Sequence, residues 1–252
     1  QDSYAYDNIG NRSTVSKTRP TGDAGGNISF NYSPSGYEVD SRNRYQRRTV
    51  PGIFDISLFS SATGVTVNAT ASGSGTMAKQ GQYFFRGHTL NNSGGPVYDT
   101  YTVTPTGGSA SPLQPAFLPS ATEVFGYDDD GNLTSDSRWV YTYDAENRLI
   151  AMETALAAYG AGLPRQKLQF TYDYLGRRID KLVSNWVSSA WSPVSEERFV
   201  YDGWNVIAKL NALSSNALVA SYYWGLDWSG TLQGAGGVGG LALIVESGST
   251  YL

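Results

Sequence analysis

Five places in the sequence hold residue types whose spacing bears on chemistry. Asp128-Asp129-Asp130-Gly131 has the carboxylate density of a calcium loop. In EF-hand register the first ligand position falls on Gly126 and the twelfth on Ser137, so both essential carboxylates are missing. Gly234-Ala235-Gly236-Gly237-Val238-Gly239 spells the G-x-G-x-x-G of dinucleotide sites, which needs a helix directly after it to take the pyrophosphate on its N-terminus. The next residues, Gly240 to Val245, read as a strand, so the expected role is a glycine crossing that lets the chain pass close to another layer. His88 is the one histidine, so any Ser-His-Asp arrangement must use it; between Phe85 and Leu90 on an expected strand it reads as structural. Glu196-Glu197 is the one adjacent glutamate pair, and on a strand its members point to opposite faces, the wrong geometry for flanking a glycosidic bond. Trp186 and Trp191 remain as the candidate ligand-binding residues. They read as aromatics on a loop-like stretch between two hairpin strands, able to stack on a glycan, with core filling as the alternative.

The composition narrows the field. The absence of cysteine excludes disulfides, zinc–thiolate sites and thiol nucleophiles at once. The net charge is −4 and the basic residues are scattered, so no nucleic-acid partner is expected. The longest apolar run, Val238 to Val245, is too short for a membrane span and is broken by two glycines. Charged residues make up 16% of the chain and there are 18 tyrosines, a balance that suits pleated sheets and is too aromatic for disorder.

The elements that position these residues come from a repeat. The frame aromatic-Asp-x-x-(Gly or Asn) occurs at Tyr6-Asp7…Gly10, Tyr127-Asp128…Gly131, Tyr143-Asp144…Asn147, Tyr172-Asp173…Gly176 and Tyr201-Asp202…Asn205. Degenerate copies are Tyr32-Ser33-Pro34-Ser35-Gly36, which lacks the aspartate, and Val39-Asp40…Asn43, which lacks the tyrosine. Residues before each tyrosine alternate, as in Leu168, Phe170 and Tyr172 against Lys167, Gln169 and Thr171. The aspartate can close an Asx turn, and the fifth position must then accept positive φ, which Gly and next Asn tolerate best. The frame therefore predicts hairpin turns at Gly131, Asn147, Gly176 and Asn205. An aspartate recurring in so many copies is a turn cap rather than a catalytic group.

The frame resembles the YD repeat of the rearrangement-hotspot (Rhs) and teneurin family, over about 1–45 and 124–252. Ser221 to Ile244, SYYWGLDWSGTLQGAGGVGGLALI, resembles the stretch that continues such repeats. The resemblance implies successive β-hairpins winding into part of a spiralling sheet or hollow shell, whose contents differ among members and often include a toxic domain. Some members cleave themselves at an Asp-Pro-x-Gly motif, which this sequence does not contain.

Between 46 and 123 the frame vanishes. Short alternating strands with Gly-rich turns predict an inserted small β-sandwich, similar to bacterial immunoglobulin-like modules, whose two ends must lie close together. The expected organisation is thus all-β, with hairpin repeats over 1–45, a sandwich over 46–123 and hairpin repeats over 124–252. The expected function is a non-enzymatic structural section of a large secreted or cell-surface bacterial protein, encapsulating or scaffolding; the alternative is an adhesin binding glycans or a partner protein. No cofactor is expected. Partners would be the rest of a longer chain or neighbouring copies through sheet edges, with glycan or toxin cargo as further candidates. Both chain ends read as cuts, and Leu241 to Val245 as an apolar edge strand lacking a neighbour.

Overall fold

The computed structural model describes residues 2–6, 12–17, 28–31, 39–71, 73–246 and 249–251. They form an all-β protein of antiparallel sheets with a single short α-helix among the described residues. The chain divides into two compact units, Gln1–Val140 with Thr154–Leu163, and Tyr141–Glu153 with Pro164–Leu252.

In the first unit, β1 (Asp2–Tyr6), β2 (Arg12–Lys17), β3 (Ile28–Asn31) and β4 (Arg47–Thr49) lie side by side in chain order. The architecture then changes. Strands β5 (Ile53–Phe59), β6 (Val65–Ala69), β7 (Gly73–Thr76), β8 (Ala78–Gln80), β9 (Tyr83–Thr89), β10 (Val97–Pro105) and β11 (Gln114–Leu118) build two sheets, ordered β5-β9-β8 and β11-β10-β6-β7. Alternation explains the layering: Val65 and Val67 are buried on one face of β6, and Tyr101 and Val103 pack beside them from β10. Ile56, Met77 and Phe84 meet them, so both sheets share one core. Each such side chain contributes about 1.5–3 kcal/mol through burial.

The chain leaves this region through β12 (Thr122–Val124), which pairs antiparallel with β4. The Val50 amide donates to the Ala121 carbonyl at 2.8 Å, and the Phe125 amide to that of Gln46 at 2.9 Å. Arg48 closes the pair on the buried Glu123 at 2.5 Å. The strands by which the chain enters and leaves the sandwich are therefore direct neighbours. Next, β13 (Gly126–Tyr127) pairs with β14 (Leu133–Ser135), and Ser135 pairs with Val140 of β15 (Trp139–Tyr143). After β16 (Leu149–Thr154) comes α1 (Leu156–Gly160), whose flank Ala155, Ala158 and Leu163 buries against Tyr98 and Phe117. The hairpin frame does not predict this helix; the alanine-rich run favours it.

The second unit is a meander. Strands β16, β17 (Gln166–Tyr172), β18 (Arg178–Val187), β19 (Ala190–Asp202), β20 (Asn205–Asn211), β21 (Ala217–Trp224), β22 (Leu241–Glu246) and β23 (Ser249–Tyr251) each pair antiparallel with the next. Leu241–Glu246 thus has β21 on one side and β23 on the other. That corrects the expectation of an unpaired edge there: Ser249–Tyr251 covers it.

Positive φ falls at Gly131 (95°), Asn147 (61°) and Gly176 (78°), as the frame requires. Asn43 (64°) joins them, so the copy that lacks tyrosine keeps the turn. Asn205 does not. It is buried in β20, and the positive φ sits on Gly203 (57°), with Asp202 paired to Asn205 across the two-residue turn Gly203-Trp204. A glycine directly after the aspartate permits a tight II′-type connection, so the five-residue turn is not needed. The frames at Tyr6-Asp7 and Tyr32-Gly36 extend outside the described residues.

Replacing Gly176 with Val forces a β-branched residue into the left-handed region and should cost about 1–2 kcal/mol in a urea melt, whereas Asn147→Gly should be tolerated. Removing 51–120 and rejoining Val50 to Ala121 through a short turn should leave a soluble protein that unfolds cooperatively. Loss of all soluble protein would mean that the sandwich and the flanking strands share one core.

Candidate functional site

The recurrent feature is a carboxylate saturated by its own turn. Asp173 accepts from the amides of Leu175 (2.9 Å) and Arg177 (3.0 Å) on one oxygen and from Arg177 Nε (2.7 Å) on the other. Asp144 repeats this with Glu146 and Arg148, and Asp40 with Arg42 and Arg44. At Asp128 the sixth frame position is Asn132, whose amide and side-chain nitrogen replace the arginine. The donors hold all four carboxyls below the usual aspartate range. The leading cause is the Arg44 side chain at Asp40, the Asn132 side chain at Asp128 and the Arg148 amide at Asp144; at Asp173 desolvation opposes the lowering most strongly, and Arg177 outweighs it.

The arginine also reaches the next repeat. Arg177 lies 5.0 Å over the Tyr201 ring, Arg148 5.3 Å over Tyr172 and Arg44 4.7 Å over Tyr127. Each of these tyrosines donates its hydroxyl to the carbonyl of the residue after that arginine: Tyr201 to Arg178, Tyr172 to Leu149 and Tyr127 to Tyr45, at 2.8–2.9 Å. Arg44 and Arg177 donate further to the carbonyls of the next turns, Asp128 and Gly203. A register shift immediately before Tyr127, Tyr172 and Tyr201 aims each ring at its neighbour. The same shift precedes Trp224, whose indole N–H donates to the Val206 carbonyl at 2.7 Å. Trp224 is thus a further member that the tyrosine-based frame misses.

Asp227 shows the same turn without a flanking tyrosine. Its amide donates to the Thr231 carbonyl, Gly230 has φ 76°, and its carboxylate accepts from the Ser229 amide and hydroxyl. The other oxygen accepts from the amides of Ala235 (2.7 Å) and Gly237 (3.2 Å). The glycine motif is therefore an anion-holding nest, and the anion is the chain's own buried carboxylate, with its pKa lowered to about 2, first by the Ser229 hydroxyl. The expected close approach is present too: a Cβ on Gly237 would meet the Asn205 side chain at 2.6 Å, and one on Gly240 the Gly225 carbonyl at 3.2 Å.

Trp186 and Trp191 lie on β18 and β19 rather than on a loop. They face each other across the hairpin, ring centroids 5.1 Å apart, and the turn between them is Ser188-Ser189 with φ 50° and 64°. Both rings carry Arg165, at 4.5 and 5.2 Å, which is itself paired with Glu153 at 2.6 Å; Lys167 lies over Trp191 at 5.7 Å. Cations thus lie over both aromatics at the hairpin tip. His88 is buried with its Nε2 3.2 Å from Asp99. Glu196 bonds Arg198, whereas Glu197 pairs with Lys181 and Lys209. No group of three or more His, Cys, Asp or Glu suited to a metal occurs among the described residues.

No protein-family model matches the chain. Among curated proteins it is similar to tRNA nuclease WapA of Bacillus subtilis (strain 168), tRNA3(Ser)-specific nuclease WapA of Bacillus spizizenii and tRNA(Glu)-specific nuclease WapA of Bacillus subtilis subsp. natto. Each match is 32% identical over 103 residues, 41% of this chain and 4% of the relative. These names overturn the expectation that the chain belongs with non-enzymatic proteins: the relatives it matches are enzymes. The physical reason for the error is plain, since turn caps and strand periodicity report on a sheet and carry no information about chemistry elsewhere in a polypeptide.

Tyr201→Phe removes one inter-repeat hydrogen bond and should cost about 1 kcal/mol. In a double-mutant cycle with Arg177→Ala the two effects should be non-additive, because both act on one ring. The sign for pH follows from Asp227. Its folded pKa of about 2 lies below the ordinary 3.8, so its contribution is complete above about pH 4 and is lost as pH falls toward 2. Amide exchange at 235–237 should accelerate across that window, after correction for intrinsic rates, and Asp227→Asn should abolish the dependence.

Proposed function

We propose that the chain is a stretch of the hairpin-repeat wall of a large bacterial secreted or cell-surface protein of the Rhs/YD kind, whose enzymatic activity is tRNA cleavage, and that this stretch scaffolds or encloses the part that cuts. The observation that carries the reading is the stitch from each turn arginine to the next tyrosine. It joins hairpin to hairpin by one rule, as a wall of indefinite length requires. The relatives support it in a second way. Three nucleases, two of them named for different tRNA targets, match over the same length and with the same identity, which favours a stretch that carries what they have in common rather than what distinguishes their targets.

The test uses the longer polypeptide that carries this chain. It should cleave tRNA on a denaturing gel, and its cutting part should resist limited proteolysis. Arg177→Ala combined with Tyr201→Phe should make that part protease-accessible. Absence of tRNA cleavage overturns the enzymatic half of the reading; unchanged protease resistance overturns the enclosing half.

A further inference from the structure

We infer that the sandwich carries a site for a small oxyanion, a carboxylate or a phosphate, held by the fork of Arg86 with Lys79 beside it. Alternation along β9 turns Phe84, Arg86 and His88 to one face, and Phe84 and His88 are buried between the two sheets. Arg86 therefore points into that layer, beside its cross-strand partner Ile56, which is buried too. The facing sheet makes room for it. Gly75 of β7 pairs with the buried Val67, and a Cβ on Gly75 would collide with the guanidinium. Among the described residues this guanidinium makes one hydrogen bond, from Nη1 to the Thr76 carbonyl at 3.0 Å. Its Nε is buried and has no partner. An unmatched buried donor destabilises a fold, and more so when it belongs to a cation.

No carboxylate among the described residues answers this charge. Asp99, the acid that faces the same layer, is engaged on both oxygens. Its Oδ1 accepts from the amides of Ala71 (2.9 Å) and Thr100 (2.7 Å), and its Oδ2 lies 3.2 Å from His88 Nε2. A second cation stands close by. Lys79 of β8 pairs across the strands with Phe84, lies 5.1 Å over its ring and donates to the Ala62 carbonyl at 2.7 Å. Both cations are thus met by main-chain carbonyls alone. They also share one rim: β7 and β8 are outer strands of their sheets, joined through Met77, and Thr76 and Lys79 are exposed there. Chemistry selects the occupant. The planar fork of an arginine offers parallel donors to two oxygens of one ligand, which a spherical halide cannot match. Two cations are too few to track a polyanion such as nucleic acid.

Binding is read from the Arg86 Nε–H resonance in proton–nitrogen NMR spectra of the whole chain, as sodium acetate or sodium phosphate replaces sodium chloride at constant ionic strength. A saturable shift of that resonance and of the Gly75 and Thr76 amides is expected. A response to acetate alone assigns a carboxylate ligand, and a response to phosphate alone assigns a phosphate ligand. Lys79→Met should weaken binding on the order of tenfold, and so should Arg86→Lys, which keeps the charge and loses the fork. Arg86→Met should abolish the shift of both amides. In chloride it should melt no lower than the parent chain, because it removes an unmatched buried charge. Should Arg86→Met fail to fold, the exposed Lys79→Met variant carries the comparison. No saturable shift with either anion, or the same affinity in Lys79→Met as in the parent, overturns the proposal. None of these outcomes bears on tRNA cleavage, since the site lies in the sandwich and outside the hairpin repeats, so the two readings fail separately.

Discussion

The hairpin repeats of this structure depend on a saturated carboxylate in their turns. A hairpin turn with positive φ at its fourth residue leaves amides pointing inward, and an aspartate at the first position can take two of them. Its second oxygen is then free for a charged donor, and at Asp40, Asp144 and Asp173 that donor is the arginine four residues on. Holding the guanidinium by one edge fixes its plane. A fixed plane can be stacked upon, and the next tyrosine does so. Turn closure and inter-repeat contact are thus parts of one chain of bonds, carboxylate to guanidinium to ring to carbonyl. Each link is modest on its own, since exposed cation–π contacts contribute about 0.5–1 kcal/mol and a hydrogen bond about as much. Their value lies in repetition and in specifying which strand comes after which.

The stitch survives interruption by the sandwich. Arg44 and Tyr127 are 83 positions apart, yet their geometry matches that of Arg148 with Tyr172 and Arg177 with Tyr201. The strands β4 and β12 pair at the neck of the excursion, so the chain returns to within one strand spacing of where it left. A module is tolerated at such a place because the loop-closure cost is met by the pairing of its own stems.

What is legible in the sequence is what is local. The aspartate and the residue with positive φ lie within four positions, so Gly131, Asn147 and Gly176 can be read directly from their types. The sixth-position arginine is in plain view after Asn43, Asn147 and Gly176, but its purpose is not, because the ring it serves stands a whole hairpin downstream. Asn205 misleads because a glycine directly after Asp202 shortens the turn, and a frame tuned to five residues does not detect a two-residue alternative. Trp224 escapes the frame because the stitch needs an aromatic donor rather than a tyrosine as such. The tryptophans at 186 and 191 are legible as a pair of neighbouring rings, but the Arg165 side chain that lies against them is not.

The glycine motif shows the same limit in its strongest form. A run of glycines with backbone amides turned to one side will hold an anion, whether a pyrophosphate or a side chain. Sequence spacing identifies the nest and cannot identify its tenant. Here the tenant arrives from ten residues upstream: Asp227 is fixed first by its own turn, through Ser229 and Thr231, and only then extends its second oxygen to Ala235 and Gly237. With the carboxylate supplied internally, the loop from 226 to 240 needs no ligand to be ordered, and its apolar residues are held in solvent rather than folded inward: Leu226, Trp228, Leu232 and Val238 are all exposed. Those side chains stay in solvent while the backbone of the same loop is bonded to one carboxylate. A loop built so that its anion is internal and its aromatic is external is organised to present a surface, and that organisation follows from the placement of a single aspartate.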